Sequence, residues 1–147
     1  ESDMTASDKF YDYLVELEGL RLNAYLDSAN IPTIGIGTIR YPDGKKVKMG
    51  DTCTRDQAVE CARHDVADFE ARLNKLVTGL TQNQYDALLL LMYNIGSGAL
   101  STSTVLKRIK SGKGDISEAW LRWNRAGGKV VQGLTNRREK ELKIFFA

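Results

Sequence analysis

The sequence predicts an α+β protein of two lobes, because three parts of the 147-residue chain differ in residue pattern. Residues 20–50 are rich in β-branched and turn residues, which favour short strands. Residues 55–77 have the apolar spacing of one long helix, and several further helical segments follow within residues 82–147. Helices outweigh strands, and the long helix is expected to connect a strand-rich part to a helical part.

The first helix is predicted over residues 5–18. Thr5 or Ser7 can cap its start, and Gly19 supplies a C-terminal stop. Its apolar face is expected to contain the residues that recur at helical spacing, Phe10, Tyr13, Leu14 and Leu17. Glu18 then lies at the negative end of the helix dipole, which disfavours its charged form and suits a proton donor.

Two or three short strands are predicted within residues 20–50, together with a turn at Tyr41-Pro-Asp-Gly44. Gly35 and Gly37 alternate with larger residues, so that one face of an extended strand would be bare. A bare face permits close approach of another backbone or of a ligand. Glycines at a bulge or a tight bend explain the same pattern equally well, and the sequence does not choose between them.

The long helix is predicted to begin after a capping box formed by Thr54 and Gln57. Its apolar stripe consists of Val59, Ala62, Val66, Phe69, Leu73 and Leu76. Cys61 would then lie about two turns into the helix, roughly 10 Å along its axis from Cys53. A disulfide needs Cα atoms within about 7 Å, so we expect two free thiols.

The C-terminal half is predicted to be helical. Residues 82–95 form a strongly apolar helix, which we expect to be the core of the second lobe. Further helical segments are predicted at residues 101–110, 116–123 and 137–146. Residues 126–134 are interpreted as a glycine-rich connection.

The charges are unevenly distributed, although the net charge is only +2. Residues 1–100 carry 10 Lys and Arg against 15 Asp and Glu, whereas residues 101–147 carry 11 against 4. A basic C-terminal third favours an anionic partner, such as nucleic acid, acidic lipid or a cell-wall polymer that bears carboxylates. A solvated helical surface explains the same charges equally well.

Other classes of protein are disfavoured by composition. No apolar run approaches the ~18 residues of a membrane span. One histidine and two cysteines without ligand spacing argue against a metal site. The chain begins at Glu1 rather than at Met, so we expect a processed or truncated product whose export signal, if any, lay upstream.

Two carboxylates and a threonine lie close together in the N-terminal part: Glu18, Asp27 nine residues later, and Thr33 after six more. Hydrolysis of a glycosidic bond requires an acid that protonates the leaving oxygen and a second carboxylate on the other side. Glu18, at a helix end next to apolar residues, suits the acid. Asp27, in a polar loop, would stay ionised and bind or deprotonate a water, or stabilise the cationic sugar. Thr33 can orient the same water through its hydroxyl.

The stretch from Glu18 to Gly37 resembles the active-site signature of the phage-type lysozymes, the muramidases of bacteriophage endolysins. The spacing of the two carboxylates and the threonine matches that family's catalytic triad, and Thr33-Ile-Gly-Ile-Gly37 matches its strand. The match continues in chain order through Gln84-Tyr-Asp-Ala-Leu, Tyr93-Asn-Ile-Gly96, Ser101 to Leu106, and Gly133-Leu-Thr-Asn-Arg-Arg-Glu139. It covers the chain from about residue 8 to residue 147.

The resemblance implies one lysozyme domain over residues 1–147, with the glycan bound between two lobes. The strand-rich lobe would span about residues 19–54, and the helical lobe residues 78–147 with 5–18. The implied reaction is hydrolysis of the β-1,4 bond between N-acetylmuramic acid and N-acetylglucosamine in peptidoglycan, with inversion at the anomeric carbon.

The resemblance also assigns site residues. Glu18 is the general acid, and Asp27 with Thr33 holds the attacking water. The cleft wall is expected to include Gly37, Ile39, Tyr93 and Asn94. Arg137 resembles the arginine that pairs with the catalytic glutamate, and such a pair would lower the pKa of Glu18. Thr38 stands where the best-studied member of the family has a histidine, so any ion pair built on that histidine is absent.

The family implies peptidoglycan glycan strands as the partner, in the host periplasm, and no metal or cofactor. We further expect no nucleic-acid partner, no membrane span in the mature chain, and a monomer. An endolysin that releases phage progeny is the leading setting. A tail-associated lysozyme or a bacterial effector aimed at rivals could share the domain.

Two other functions are consistent with parts of the pattern. A lytic transglycosylase uses one glutamate and no hydrolytic water, and Asp27 and Thr33 at family spacing weigh against it. A non-catalytic glycan-binding or inhibitory protein would keep the cleft and lose the reaction, and the intact triad weighs against that. Product analysis separates the first function from a lysozyme, and the variant Glu18→Gln separates the second.

Overall fold

The structure, a computed structural model, describes residues 3–147 and confirms the α+β class. Over these residues the chain forms seven helices and two small antiparallel sheets. The element order is α1 (Asp8–Glu18), β1 (Arg21–Leu26), β2 (Pro32–Gly35), α2 (Arg55–Leu76), α3 (Gln82–Ile95), α4 (Ser97–Ser101), α5 (Thr104–Ser111), α6 (Ile116–Leu121), β3 (Arg125–Ala126), β4 (Lys129–Val130) and α7 (Gln132–Phe145).

The chain divides into two compact units, and the boundary lies within α2. One unit is Asp8–Asp68, and the other contains residues 3–7 and 69–147. Helix α1 therefore belongs to the strand-containing unit, whereas the expected lobes grouped residues 5–18 with the C-terminal helices.

Helix α1 contacts the first half of α2 through charged side chains. Asp8 Oδ1 accepts a hydrogen bond from Arg63 Nη2 at 2.8 Å, and Asp12 Oδ1 accepts one from Arg55 Nη2 at 3.1 Å. The Arg63 guanidinium also lies over the Tyr11 ring, 4.4 Å from its centroid, within the distance of about 6 Å at which a cation is attracted to a ring face. Tyr11 is buried in place of the expected Tyr13, which is only partly covered.

Strands β1 and β2 form an antiparallel hairpin in the first unit. Tyr25 pairs with Thr33, and the register shifts between Arg21 and Tyr25. A third segment joins the outer edge of β1 through an isolated bridge between Asn23 and Thr52. This small sheet carries the strand and the loop in which the sequence places two of the three catalytic residues.

Gly35, the last residue of β2, and Gly37 lie in a tight turn, so the structure contains the tight bend that was one of the two interpretations left open above. Gly35 and Gly37 have φ values of +66° and +75°, in the left-handed region that favours glycine. Ile34 and Thr38 close the turn by exchanging two backbone hydrogen bonds of 2.9 Å. A Cβ atom on Gly35 would lie 3.0 Å from the Cβ atom of Ala58 in α2, so the turn also permits a close approach to that helix.

Helices α2 and α3 agree with the predicted boundaries. The predicted capping box of α2 is present, because the Thr54 N–H donates to Gln57 Oε1 and the Gln57 N–H donates to Thr54 Oγ1. Helix α3 also begins with a capping box, formed by Thr81 and Gln84. The residues of α3 from 85 to 92 are all buried, which makes this helix the core of its unit.

The C-terminal elements differ in detail from the prediction. The predicted segment 101–110 corresponds to α5, which begins at Thr104 because the Ser103 side chain caps it by accepting the N–H of Leu106. The short helix α4 before it was not predicted. Part of the predicted connection is a β3–β4 hairpin, whose turn Gly127-Gly128 has φ values of +59° and +79°. Helix α7 begins at Gln132, earlier than expected, because Gly133 continues the helix.

Two further findings concern the whole of the described chain. None of its helices combines the length and the apolar character that crossing a membrane requires. Cys53 and Cys61 are both free thiols, as the sequence predicts.

Candidate active site

Glu18 is the last residue of α1 and is exposed, so the structure places it at the helix end that the sequence predicts. The chain turns immediately after it, because Gly19 has φ +86° and its N–H donates to the Val15 carbonyl at 2.8 Å. Only Gly19 and Leu20 separate Glu18 from the first residue of β1, Arg21. The carboxylate is thus carried on a helix end that leads directly into the β1–β2 hairpin.

Asp27 directly follows β1 and is held in a tight loop. Its Oδ1 atom accepts backbone hydrogen bonds from Ala29 at 2.8 Å and from Ile31 at 2.9 Å. The Asp27 N–H in turn donates to the Ile31 carbonyl at 3.1 Å. Asn30, the one described non-glycine residue with positive φ, at 60°, closes the loop. These bonds fix the orientation of the carboxylate, which is partly covered.

Thr33 lies in β2 and is buried, with 3% of its surface exposed. Its Oγ1 atom donates a hydrogen bond of 2.8 Å to the Ile31 carbonyl. Ile31 therefore bonds to both predicted residues, through its N–H to Asp27 and through its carbonyl to Thr33. Ile31 was not predicted as a site residue, because its role depends on its backbone groups and not on the chemistry of its side chain.

The two cleft-wall residues expected from the N-terminal part lie just beyond β2 in the same unit. Gly37 is exposed in the tight turn, and Ile39 exposes 46% of its surface. The Ile39 carbonyl accepts the N–H of Val47 at 3.0 Å, which fixes its backbone. Ile39 therefore presents an apolar side chain to solvent from a rigid position.

Tyr93 and Asn94 lie near the C-terminal end of α3, in the other unit. The Tyr93 ring packs against the Phe69 ring, with centroids 5.7 Å apart. Asn94 is exposed, and its Oδ1 atom accepts a hydrogen bond from Arg138 Nη2. The hydrogen bond from Arg138 thus fixes the orientation of the Asn94 amide group.

That arginine belongs to a buried charged cluster on α7 in which Glu141 is the central group. Arg137 Nε lies 3.0 Å from Glu141 Oε2, Arg138 Nε lies 3.2 Å from Glu141 Oε1, and Trp120 Nε1 donates to Oε1 at 3.0 Å. Burial raises the pKa of the Glu141 carboxyl, and Arg138, Trp120 and Arg137 oppose that rise. Arg137 Nη2 also donates to the Leu90 carbonyl at 3.1 Å.

Arg137 was predicted as a site residue from the sequence, whereas Arg138 and Glu141 were not. The spacing contained a signal for this cluster. Glu141 follows Arg137 by four residues and Arg138 by three, so it lies on the same helix face as both. Such a triad on a helix that packs on an apolar neighbour predicts a buried ion cluster. The pairing of Arg137 with Glu18 that the resemblance implies stays a prediction.

The structure brings Asp27 and Thr33 together through Ile31, on the hairpin that begins three residues after Glu18. Gly37 and Ile39 follow on the same unit, whereas Tyr93, Asn94 and Arg137 belong to the other unit. A family model described as "Phage lysozyme" matches residues 15–141, which include every one of these residues. The chain belongs to the phage lysozyme family.

Individual relatives agree with this membership. The chain is 40% identical over 132 residues to the endolysin of Salmonella phage P22. The aligned region covers 88% of this chain and 90% of that protein. It is 39% identical over 145 residues to the endolysin of Bacillus phage PZA, covering 97% of this chain but 55% of that protein. The chain thus spans about half the length of the second relative.

A solved structure supports the fold. The endolysin from Escherichia coli O157:H7 phage FAHEc1 matches with a TM-score of 0.86 and 44% identity, covering 99% of this chain and 95% of that chain. The family resemblance and the lysozyme-like α+β fold that the sequence predicts are therefore confirmed.

One position sets this phage lysozyme apart from the best-studied pattern. Thr38 is fully buried, and its Oγ1 atom donates a hydrogen bond of 3.1 Å to Asp65 Oδ2 on α2. Partial burial raises the pKa of the Asp65 carboxyl, and the bonds to Thr38 and the charge of His64 oppose the rise. A neutral hydroxyl thus takes the place of the histidine noted above.

Proposed function

We propose that this chain is an endolysin-type lysozyme that hydrolyses the β-1,4 bond between N-acetylmuramic acid and N-acetylglucosamine and degrades the bacterial cell wall for host lysis. It is a glycoside hydrolase of the muramidase type. The observation that carries the proposed site is the linkage of Asp27 and Thr33 through the backbone of Ile31, next to the helix end that carries Glu18.

Asp27 and Thr33 are assigned to the attacking water. The proton of the Thr33 hydroxyl is donated to the Ile31 carbonyl, so its lone pairs can accept one O–H of the water. Asp27 Oδ1 already accepts two backbone N–H groups, which leaves Oδ2 as the oxygen that takes the second proton. The lone pair of the water is then directed at the anomeric carbon while Asp27 acts as general base.

Glu18 is assigned as the general acid. It donates its proton to the glycosidic oxygen as the bond to the anomeric carbon breaks, and the sugar passes through an oxocarbenium-like transition state. The water adds on the opposite face, so the configuration inverts in a single displacement. After the reaction Asp27 carries a proton and Glu18 lacks one. A proton that passes from Asp27 to Glu18 through solvent restores both starting protonation states.

The remaining residues are assigned to substrate binding and support. Gly37 offers an exposed backbone and Ile39 an apolar surface to the sugar rings, and Tyr93 and Asn94 are also assigned to glycan binding. Because Asn94 Oδ1 accepts from Arg138, its Nδ2 group is the part that can donate to the glycan. Arg137 is assigned a supporting role, and its guanidinium is oriented by Glu141 and the Leu90 carbonyl.

The substrate is the glycan strand of peptidoglycan, and the enzyme acts on the cell wall. We place that action in the host periplasm and propose that the active species is a monomer without a nucleic-acid partner. Gel filtration with light scattering checks the oligomeric state, and a shift assay with duplex DNA checks the second expectation.

The test compares the parent protein with Glu18→Gln and Glu16→Gln on outer-membrane-stripped Gram-negative cells. Clearing and new reducing sugar ends are measured together. The parent and the Glu16→Gln control, which carries the same change two residues earlier on α1, should clear the suspension at similar rates. Glu18→Gln should lose a factor of about 10² or more, the usual contribution of a general acid. Lysis by Glu18→Gln at the parent rate, with a folded protein, would contradict the assignment.

A further inference from the structure

A groove in the unit of residues 69–147 contains none of the residues assigned to catalysis or to glycan binding. It lies where the ends of α2, α5 and α7 meet the start of α6, and its volume is about 580 Å³. Its apolar lining includes Leu76, Leu80, Ile109, Ile116, Phe145 and Phe146. A concave surface that combines apolar side chains with a few polar groups is typical of a ligand site.

Phe146 is the most exposed large apolar residue of the described chain, with 61% of its surface exposed. Its position is nevertheless fixed, because its N–H donates to the Leu142 carbonyl at 3.0 Å. Its ring also makes an edge contact with the Phe145 ring, with centroids 5.0 Å apart, and Phe145 packs in turn against the buried Trp120 at 5.3 Å. An exposed ring held on a buried aromatic stack is suited to anchoring an interface.

Two lysines give the groove a positive charge. Lys75 lies in the last turn of α2 and Lys110 in the last turn of α5, and both are exposed. Lys143 adds a third positive charge, since it precedes Phe146 by three residues and lies on the same side of α7. Within the described chain, no Asp or Glu lines the groove.

The carboxylates at the start of α6 do not neutralise this charge, because other groups engage them. Glu118 Oε1 lies 2.9 Å from Arg108 Nη1, and Glu118 also pairs with Arg122. Asp115 Oδ1 accepts the Glu118 N–H at 3.0 Å as the cap of α6. The positive charge of the groove therefore favours an anionic ligand.

We propose that this groove binds an anionic phospholipid at a membrane surface, with the phosphate paired to Lys75 and Lys110 and part of one acyl chain against Phe146. Such a lipid supplies both the negative charge and the apolar chain that the lining matches. A nucleic acid or a cell-wall polymer that bears carboxylates supplies the charge but no acyl chain. The binding is independent of the proposed hydrolysis, so either can fail without the other.

The experiment measures sedimentation of the intact chain with vesicles of phosphatidylcholine alone and with vesicles that also contain phosphatidylglycerol. The groove variants are Lys110→Gln, Phe146→Gln and the conservative Phe146→Leu. The matched controls are Lys129→Gln and Val130→Gln, which make the same kinds of change at exposed positions of β4 that do not line the groove. Thermal unfolding of each variant checks that the fold is kept.

The expected result is binding that depends on both parts of the lipid. The parent should bind the vesicles that contain phosphatidylglycerol and bind phosphatidylcholine alone at least tenfold more weakly. Lys110→Gln should weaken binding about fivefold, the contribution of one lysine near an anionic leaflet. Phe146→Gln should weaken it about tenfold, because an apolar ring no longer leaves water, and Phe146→Leu should keep most of the affinity.

The controls and the hydrolysis rate complete the expectation. Lys129→Gln and Val130→Gln should bind the vesicles as the parent does. All five variants should hydrolyse soluble peptidoglycan fragments at the parent rate, because none of the changed residues is assigned to the site.

Four results would overturn the proposal. No binding of the folded parent to either kind of vesicle is the first. Equal losses in Lys110→Gln and Lys129→Gln would show a general attraction of charge rather than a site. Release of the parent from vesicles by glycerol phosphate, the headgroup without its chains, would show that an anion alone is bound. Unchanged vesicle binding in Lys110→Gln, together with weaker binding to purified peptidoglycan, would assign the lysine to the wall polymer.

Discussion

At the scale of single residues, Ile31 links two of the proposed catalytic residues through its backbone. Its N–H donates to Asp27 and its carbonyl accepts from Thr33, the two residues assigned to the water. Because the linkage is made by the backbone, most substitutions at this position would preserve it. The following Pro32 has no N–H to compete for these bonds.

Asp65 gives a pH-dependent prediction at the same scale. Burial raises the pKa of its carboxyl in the folded state, so the folded protein binds that proton more tightly than the unfolded chain. The contribution of Asp65 to stability is therefore favourable at low pH and is lost as the pH rises through the raised pKa. Asp65→Asn removes this titration and keeps an oxygen that can accept from Thr38.

The measurement is thermal unfolding of the parent and Asp65→Asn at pH 3 and pH 7. The stability of the variant relative to the parent should be higher at pH 7 than at pH 3, because only the parent carries a penalised charge at pH 7. A relative stability that is independent of pH, or higher at pH 3, would contradict the account of this carboxyl.

At the scale of elements, the turn after β2 gives a prediction about Gly35. Both Gly35 and Gly44 have positive φ, so an alanine at either position costs about 1–2 kcal/mol of backbone strain. A Cβ atom on Gly35 would also lie 3.0 Å from Ala58 Cβ, whereas one on Gly44 would meet no atom within 4 Å. Gly35→Ala should therefore lose about 1–3 kcal/mol more than Gly44→Ala, the usual cost of overpacking.

Urea unfolding of the two variants checks this difference, and the activity of Gly35→Ala should fall as well, because Gly35 follows Thr33 by two residues in the same strand. Equal losses of stability in the two variants would show that the contact with α2 is not tight. The double variant Gly35→Ala with Ala58→Gly should recover part of the loss, since it removes the clashing methyl group.

The ion cluster of α7 gives a second prediction at this scale. Glu141→Gln leaves Arg137 and Arg138 buried without their counter-charge, which typically costs about 3–5 kcal/mol. Glu139→Gln is the matched control, because it makes the same change at an exposed position of the same helix and should stay within about 0.5 kcal/mol of the parent.

Denaturant unfolding compares the free energies of unfolding of these two variants. Glu141→Gln should also lower activity in cell lysis, because Arg138 orients Asn94. If Glu141→Gln were as stable as Glu139→Gln, the cluster would not depend on its central carboxylate.

The same elements show what sequence patterns can predict. The apolar spacing and the capping residues gave α2 and α3 to within a residue, because both signals are local. The turn at Gly35 and Gly37 could not be distinguished from a strand, since alternating glycines are compatible with both and the positive φ values are known only from the structure. Tyr11 was not expected to be buried, because part of its cover is the Arg63 guanidinium of α2, a contact that the apolar spacing of α1 does not indicate.

Some residues of the proposed site could be predicted from the sequence, and others could not. Glu18, Asp27 and Thr33 were predicted as catalytic residues from their spacing and from the family resemblance, and their catalytic roles stay predictions. The loop position of Asp27 and the strand position of Thr33 agree with the structure. Ile31 was missed, because its role comes from backbone hydrogen bonds that are known only when the register of the hairpin is known. The Arg138–Glu141 pair was missed although its spacing places both residues on one helix face, and the structure shows that this face of α7 is buried.

At the scale of the whole molecule, the uneven charge predicts that lysis depends on salt. Residues 101–147 carry 11 Lys and Arg against 4 Asp and Glu, and a cell wall bears carboxylates. Raising the salt from about 0.01 M to 0.1 M shortens the Debye length from about 30 Å to about 10 Å, so long-range attraction should weaken and the rate of lysis should fall.

The control for this prediction is thermal unfolding over the same salt range, which separates a loss of attraction from a loss of fold. A lysis rate that does not change with salt, in a protein that stays folded, would argue against electrostatic attraction to the wall.

The measurement that tests the central claim most directly is mass analysis of the products from purified peptidoglycan, made with the parent and with Glu18→Gln. A lysozyme adds water across the glycosidic bond, so the parent should release muropeptides with hydrated, reducing N-acetylmuramic acid ends, and Glu18→Gln should release almost none. Products lighter by one water, with anhydro ends, would show that no water is activated by Asp27 and Thr33 and would contradict the account.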